Sequence, residues 1–280
     1  MNNKALQIIT DGIRYLLLIL VSIVILTPFL WMLTTSLKDE TKVFQFPPQW
    51  IPSPMVWENY KQVFVTQPLF LTQYWNSLYI AVLVTIGTCI VGALAGYAFA
   101  KISFRFKNVL FLILLSGMMI PNEVTIIPNF IWFSKLNLVD NHFTLIVPPI
   151  LGAGGIFGVF LLRQFYITIP KDMDEAAEIE GCTPWQTFWR IMVPLASPAF
   201  ATLSIFTFLS SWEDFLDPLI YISSSKLFTL PVAMKLFTDM AGTAWHLLMA
   251  ASVMATLPLL LVFFVAQKKF IDGIATTGLK

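Results

Sequence analysis

Residues able to do chemistry are scarce in this chain and gather in three places. Glu123 lies in the apolar run "NVLFLILLSGMMIPNEVTIIPNFIWF", Glu213, Asp214 and Asp217 cluster in "WEDFLDPLI", and a charged block, "DEAAEIEGCTPWQTFWRIMVP", runs from Asp174 to Pro194. The sequence has only His142 and His246, and no HExxH, GxSxG or GxxxxGK[ST] pattern, so metal-assisted hydrolysis, a serine nucleophile and ATP binding all lack their parts. The glycines of "GAGG" at 152–155 have no lysine after them and sit in an apolar stretch, which suits packing rather than phosphate. A carboxylate placed in hydrocarbon costs about 2.5–3.5 kcal/mol, so Glu123 is a functional candidate by default. The alternative is that Pro121 breaks the helix and Glu123 meets water or its neighbour Asn122 at the break.

The charged block has a local architecture. After Pro170, Asp172 is placed to cap a helix, with Glu175 reaching back to the cap amide. Met173, Ala176 and Ala177 fall on one face, and Asp174, Glu175 and Glu178 fall around the rest. Gly181 stands where a helix ends most easily in a left-handed residue. Thr183 then caps a second helix, with Pro184 at its first position and Gln186 completing a capping box. Trp185, Phe188, Trp189 and Met192 recur at helical spacing, which predicts a helix lying in the membrane interface with its Trp residues turned inward. The first helix is too short and too charged to insert. Its small flat face fits a groove on another protein, or it is a solvated loop helix with no partner.

The elements that must hold these groups are membrane spans. Of 280 residues, 57% are hydrophobic and 12% charged, against about 25% charged in ordinary soluble domains. The pattern predicts an all-α polytopic membrane protein, a single transmembrane domain with six spans near 13–35, 77–100, 109–133, 143–162, 195–215 and 245–267. Alternating the loops gathers Lys4, Arg14, Lys101, Arg105, Lys107, Arg163, Lys171, Arg190, Lys268, Lys269 and Lys280 on one side, eleven of seventeen basic residues. The positive-inside rule makes that side the cytoplasm, so both termini and the loop 170–194 are expected there. The outer loop, 36–76, is rich in Pro, Trp and Tyr and suits the outer interface. The first span lacks a small-residue cleavage site and reads as an uncleaved anchor. Small residues four apart in "GALAG" and "GGIFG" allow close helix approach, and prolines within the spans require a protein or cavity environment for the carbonyls they free. Cys89 and Cys182 fall in a span and a cytoplasmic loop and cannot pair. A net charge of +1 without a basic cluster gives no reason to expect nucleic-acid binding.

The block "EAAEIEGCTPWQTFWRIMVP" resembles the cytoplasmic EAA loop of binding-protein-dependent ABC importers. Glu175, Ala176, Ala177, Gly181, Ile191 and Pro194 match that pattern at its spacing, and Val193 replaces the usual Leu. The likeness extends over almost the whole chain, through "MIPNEVTIIP", "FTLPVAM" and "MAASVMATLPLLLVFF", and is to the second permease of maltose-type carbohydrate importers. The resemblance implies a prokaryotic inner-membrane subunit paired with a second, homologous permease, two copies of a cytosolic ATPase that bind the ATP and Mg, and an extracytoplasmic solute-binding protein. It makes the short acidic helix the coupling helix and the importer's solute a sugar. In place of W-N-D-F-x-W-P the chain has Trp212, Glu213, Asp214 and Asp217 in "WEDFLDPLI", acidity that either disfavours an anionic solute or contacts the binding protein. It ends in "GLK" where relatives often have V-K-G. The same machinery with a polyol, a glycerol phosphate or a peptide is the nearest alternative. An ion-coupled carrier built on Glu123 is more distant, since no internal repeat and no second intramembrane acid is visible.

Overall fold

Helices follow the apolar runs closely. The computed structural model describes residues 3–239 and 242–277. In chain order its helices are α1 (Asn3–Thr35), α2 (Glu58–Thr66), α3 (Phe70–Lys101), α4 (Lys107–Ser116), α5 (Asn122–Lys135), α6 (Phe143–Leu151) and α7 (Ala153–Thr168). They continue as α8 (Asp172–Ile179), α9 (Pro184–Thr187), α10 (Val193–Leu195), α11 (Ser197–Trp212), α12 (Leu216–Tyr221), α13 (Leu230–Met234) and α14 (Trp245–Thr277). A two-residue hairpin pairs Thr238–Asp239 with Gly242–Thr243. The terminal "GLK" at 278–280, including Lys280, lies outside the described residues.

Thr10–Thr35, Phe70–Lys101, Phe143–Thr168 and Trp245–Gln267 are each long and apolar enough to cross a bilayer. Two further pairs of helices reach that length only together. The stretch expected as one span at 109–133 is Lys107–Met119 and Asn122–Lys135, bent by 94°. Ile120 and Pro121 at the bend are both extended, because the proline ring disfavours a helical residue before it. Likewise Pro184–Leu195 meets Ser197–Trp212 at 73°, with Ala196 as the non-helical joint.

The chain divides into two compact units. The first, Met1–Phe70 with Met234–Thr256, is knit by polar contacts at the end of α1. Asn59 Nδ2 donates to the carbonyls of Ser36 at 2.9 Å and Lys38 at 2.8 Å, and Ser36 shares a 2.8 Å hydrogen bond with the Tyr60 hydroxyl. These bonds tie the start of α2 to the end of α1 and so close the proline-rich segment between them. Lys38, 1% exposed, rests its ammonium 4.0 Å from the Trp31 ring centroid.

In the second unit, Leu71–Ala233 with Leu257–Lys280, α3 and α7 cross at a glycine contact. A β-carbon on Gly92 would lie 2.9 Å from the Gly158 carbonyl carbon, so the two backbones touch where only hydrogen fits. One apolar cluster packs Ala93, Leu162, Tyr166, Phe188, Met192 and Leu203. A second gathers Ile80, Val84, Ile126, Leu145, Tyr221 and Ile222, and beside it Asp140 ties the turn after α12 by accepting from the Ser223 and Ser224 amides at 2.9 and 2.8 Å.

Candidate functional site

The charged block forms two short helices joined by a glycine elbow. In α8 the expected side-chain cap by Asp172 is absent, because Lys171 is already helical and takes the cap position. The Pro170 carbonyl accepts the Met173 amide at 3.3 Å, and the Lys171 carbonyl accepts those of Asp174 at 2.8 Å and Glu175 at 3.0 Å. Those donors are therefore closed by main chain, and Asp172, Asp174 and Glu175 instead place their charge in the first turn, favourably for the helix dipole. At the other end Gly181 has φ 77°, the Cys182 amide donates to the Ala177 carbonyl and the Gly181 amide to that of Glu178, both at 2.9 Å. This paired termination requires a left-handed residue, which glycine adopts without strain. The capping box that follows is present: the Gln186 amide donates to Thr183 Oγ1 at 3.3 Å, and Gln186 Oε1 accepts the Thr183 amide at 2.8 Å.

Burial decides which faces are free. Of the face expected from Met173, Ala176 and Ala177, only Ala177 is buried. Met173, Ala176, Glu175, Glu178 and Ile179 are exposed, Ile179 by 87%. After α9 the chain widens into a π turn over Phe188–Met192. There Phe188 and Met192 are buried in the apolar cluster, while Trp185 and Trp189 are exposed, so the four do not act as one buried stripe. Ile191 is half-buried and Pro194 exposed. One contact escaped the sequence reading: Lys101 Nζ, at the end of α3, meets Asp174 Oδ2 at 2.7 Å and donates to the Ile169 carbonyl at 2.8 Å. It ties α8 to a membrane-spanning helix, and its 73-residue separation leaves no sequence signal.

The second unit also forms an open cavity of about 1220 Å³. Asn122, Thr125 and Asn129 of α5, Ser210 and Ser211 of α11, and Glu213, Asp214 and Asp217 supply its polar wall; Phe157, Phe206 and Tyr221 supply aromatic surface. Asn122 Nδ2 donates to both Asp217 carboxylate oxygens, at 3.2 and 3.4 Å, and the Asp217 amide donates to Asp214 Oδ1 at 3.3 Å. Both acids stand beyond the end of α11. Burial, then the neighbouring Asp217 charge, pushes Asp214 up to about 7; burial also raises Asp217, with Asn122 opposing. Glu123 is exposed in the first turn of α5, next to Asn122 and just past the Pro121 break, and does not line the cavity. Trp212 is also outside it, 3% exposed, stacked on Phe208 at 5.8 Å and edge-on to Tyr74 at 5.5 Å.

Comparison with known proteins agrees with this architecture. Residues 89–275 match the family described as binding-protein-dependent transport system inner membrane component. The arabinooligosaccharides transport system permease protein AraQ of Bacillus subtilis is 32% identical over 267 residues, covering 95% of this chain and 94% of that protein. The sulfoquinovosyl glycerol transport system permease protein SmoH of Agrobacterium fabrum is 31% identical over 255 residues, covering 91% and 89%. A crystal structure of a bacterial ABC transporter involved in the import of the acidic polysaccharide alginate contains a chain of the same fold, with TM-score 0.79, 24% identity, and coverage of 94% of this chain and 96% of that one. A family match over most of the chain and relatives aligned nearly end to end place this protein among the inner-membrane permease components of binding-protein-dependent ABC transport systems.

Proposed function

We propose that this permease component carries a sugar or oligosaccharide into the cell, powered by ATP that a partner ATPase hydrolyses. The observation that carries the coupling half of this reading is the face of α8. Ile179 and Met173 stand exposed among Glu175 and Glu178 on a helix whose two ends are closed by main chain, an arrangement that presents a rigid, mixed apolar and acidic surface for docking. In this reading Glu175, Ala176, Ala177 and Gly181 meet the ATPase, and Ile191 and Pro194 orient the segment against the spans. The complete importer has a second, homologous permease, two ATPase copies and an extracytoplasmic binding protein. The chain itself supplies the path and no hydrolytic chemistry. The carbohydrate assignment is supported by the likeness to AraQ and SmoH, permeases for arabinooligosaccharides and sulfoquinovosyl glycerol.

Both termini and the α8 elbow are assigned to the cytoplasm from the basic-residue asymmetry. Single cysteines at Ser53 and Ser224 should then label from outside, and one at Lys280 only after permeabilisation. Labelling of position 280 from outside in an active complex would overturn the orientation. The reading as a whole is tested by reconstituting the complex in proteoliposomes with its binding protein and following ATP-driven uptake. Uptake sustained by an ion gradient without ATP would refute it.

A further inference from the structure

The cavity of the second unit has a wall of one sign. Glu213, Asp214 and Asp217 line it, and none of the described lining residues is Lys, Arg or His. Side chains able to accept and donate hydrogen bonds, Asn122, Ser210 and Ser211 among them, line the same cavity, as do the aromatic rings of Phe157 and Phe206. Thr229 adds an independent observation. It is 4% exposed, lines the same cavity, and its hydroxyl has no hydrogen-bond partner. A buried hydroxyl without a partner carries a desolvation cost that a ligand atom relieves.

Resting on the permease reading above, we propose that this cavity is a solute subsite of this chain, selective for neutral, hydroxyl-rich glycans and closed to anionic ones, with the Asn122–Asp217 pair and the Thr229 hydroxyl as its polar contacts. Carboxylate and amide oxygens accept from the many hydroxyl donors of a sugar, and apolar ring faces stack on its C–H surfaces. A phosphate, sulfonate or uronate brings acceptors and negative charge to a wall already furnished with both. It finds no guanidinium or ammonium to receive it. The amide donors on Asp217 and Asp214 orient those carboxylates without cancelling their charge, so the discrimination the wall supplies is against anions. The subsite thus separates two kinds of solute met among the relatives, the uncharged arabinooligosaccharides and a sulfonated glycoside.

The test uses the assembled importer with Ser210→Cys, a position exposed on the cavity wall. Modification by a cationic and an anionic methanethiosulfonate reagent is read at the residue-210 peptide by mass spectrometry, so that Cys89 and Cys182 remain in place. We expect the cationic reagent to react faster by about tenfold or more, the local enrichment typical of a one-sign cleft. Asp217→Asn in the same background should reduce that ratio severalfold. Arabinotriose should slow both reactions, and glycerol 3-phosphate neither. Thr229→Val should weaken arabinotriose protection while leaving the reagent ratio unchanged, which separates the hydroxyl contact from the charge. Equal rates for the two reagents, protection by glycerol 3-phosphate, or protection by glucosamine but not arabinotriose would each overturn the proposal. Because labelling needs no turnover, a complex that shows this selectivity but no ATP-driven uptake would count against the importer reading alone.

Discussion

Removing the Asp174 carboxylate takes away the partner that Lys101 Nζ meets at 2.7 Å, and with it a side-chain tie between α8 and the membrane-spanning helix α3. At an effective dielectric near 20 the attraction across that distance is about 6 kcal/mol before any cost is counted. Desolvation and ordering of both side chains absorb most of it, and Asp174 remains 28% exposed in its side chain, so a net of about 1–2 kcal/mol is the reasonable expectation. Lys101 keeps its 2.8 Å bond to the Ile169 carbonyl in Asp174→Ala, whereas Lys101→Ala loses both contacts. The lysine variant should therefore be the more damaging of the two. Hydrogen–deuterium exchange across residues 173–181 of the nucleotide-free complex measures the local opening directly. Asp174→Ala should speed exchange there by about five- to thirtyfold, the kinetic equivalent of 1–2 kcal/mol. On the docking proposed above, uptake should fall further than binding-protein-stimulated ATP hydrolysis, since a loosened helix would still dock but transmit less of the motion. A double-mutant cycle combining Lys101→Met with Asp174→Asn should give a coupling of about 1 kcal/mol. Unchanged exchange together with a coupling near zero would refute the claim that this pair positions the helix.

Three further outcomes follow from the same structure. At Gly181 the φ of 77° makes any β-carbon cost about 1 kcal/mol, while nothing lies within 4 Å to clash with it inside this chain; Gly181→Ala and Gly181→Asp should insert normally, and only the aspartate should lose ATPase association in co-purification and abolish uptake. Glu123→Gln should leave ATP-driven uptake within a few-fold of normal, because Glu123 stands exposed at a helix start; loss of transport with intact ATPase stimulation would place it on the route. Asp214, held near 7 by burial and by Asp217, binds its proton more tightly folded than unfolded, so its contribution to stability is complete below about pH 4 and is lost as pH rises through 7; between pH 6 and pH 8 the wild-type complex should lose about 1 kcal/mol more thermal stability than Asp214→Asn, and an equal loss in the two would refute the shift.

What the sequence carries legibly is local. Thr183, Pro184 and Gln186 form the expected capping box because every bond in it closes within four residues, and Gly181 terminates α8 for the same reason. Asp172 had the right type and spacing for a cap, but Pro170 and Lys171 turned the chain one residue earlier and spent the amides first. Pro121 announced the break in the third apolar run, while the 94° angle across it depends on what each half packs against. Periodicity placed Trp185 and Trp189 with Phe188 and Met192, yet a π turn and the apolar cluster beneath it select only the latter two for burial. Contacts that bind the sites together, Lys101 with Asp174 and Asn122 with Asp217, span 73 and 95 residues, and composition has no term for them.

The closure of α8 by main-chain groups at both ends bears on how such importers diversify. Apart from Asp174 and Ala177, its side chains do little to hold it in place: the first amides are satisfied by Pro170 and Lys171 carbonyls, and the last carbonyls by the amides of Gly181 and Cys182. The segment therefore behaves as an exchangeable plug on a fixed socket. On the docking proposed for α8, its outward residues are free to drift with a changing ATPase surface, or to be replaced wholesale by those of another system, without disturbing the membrane helices.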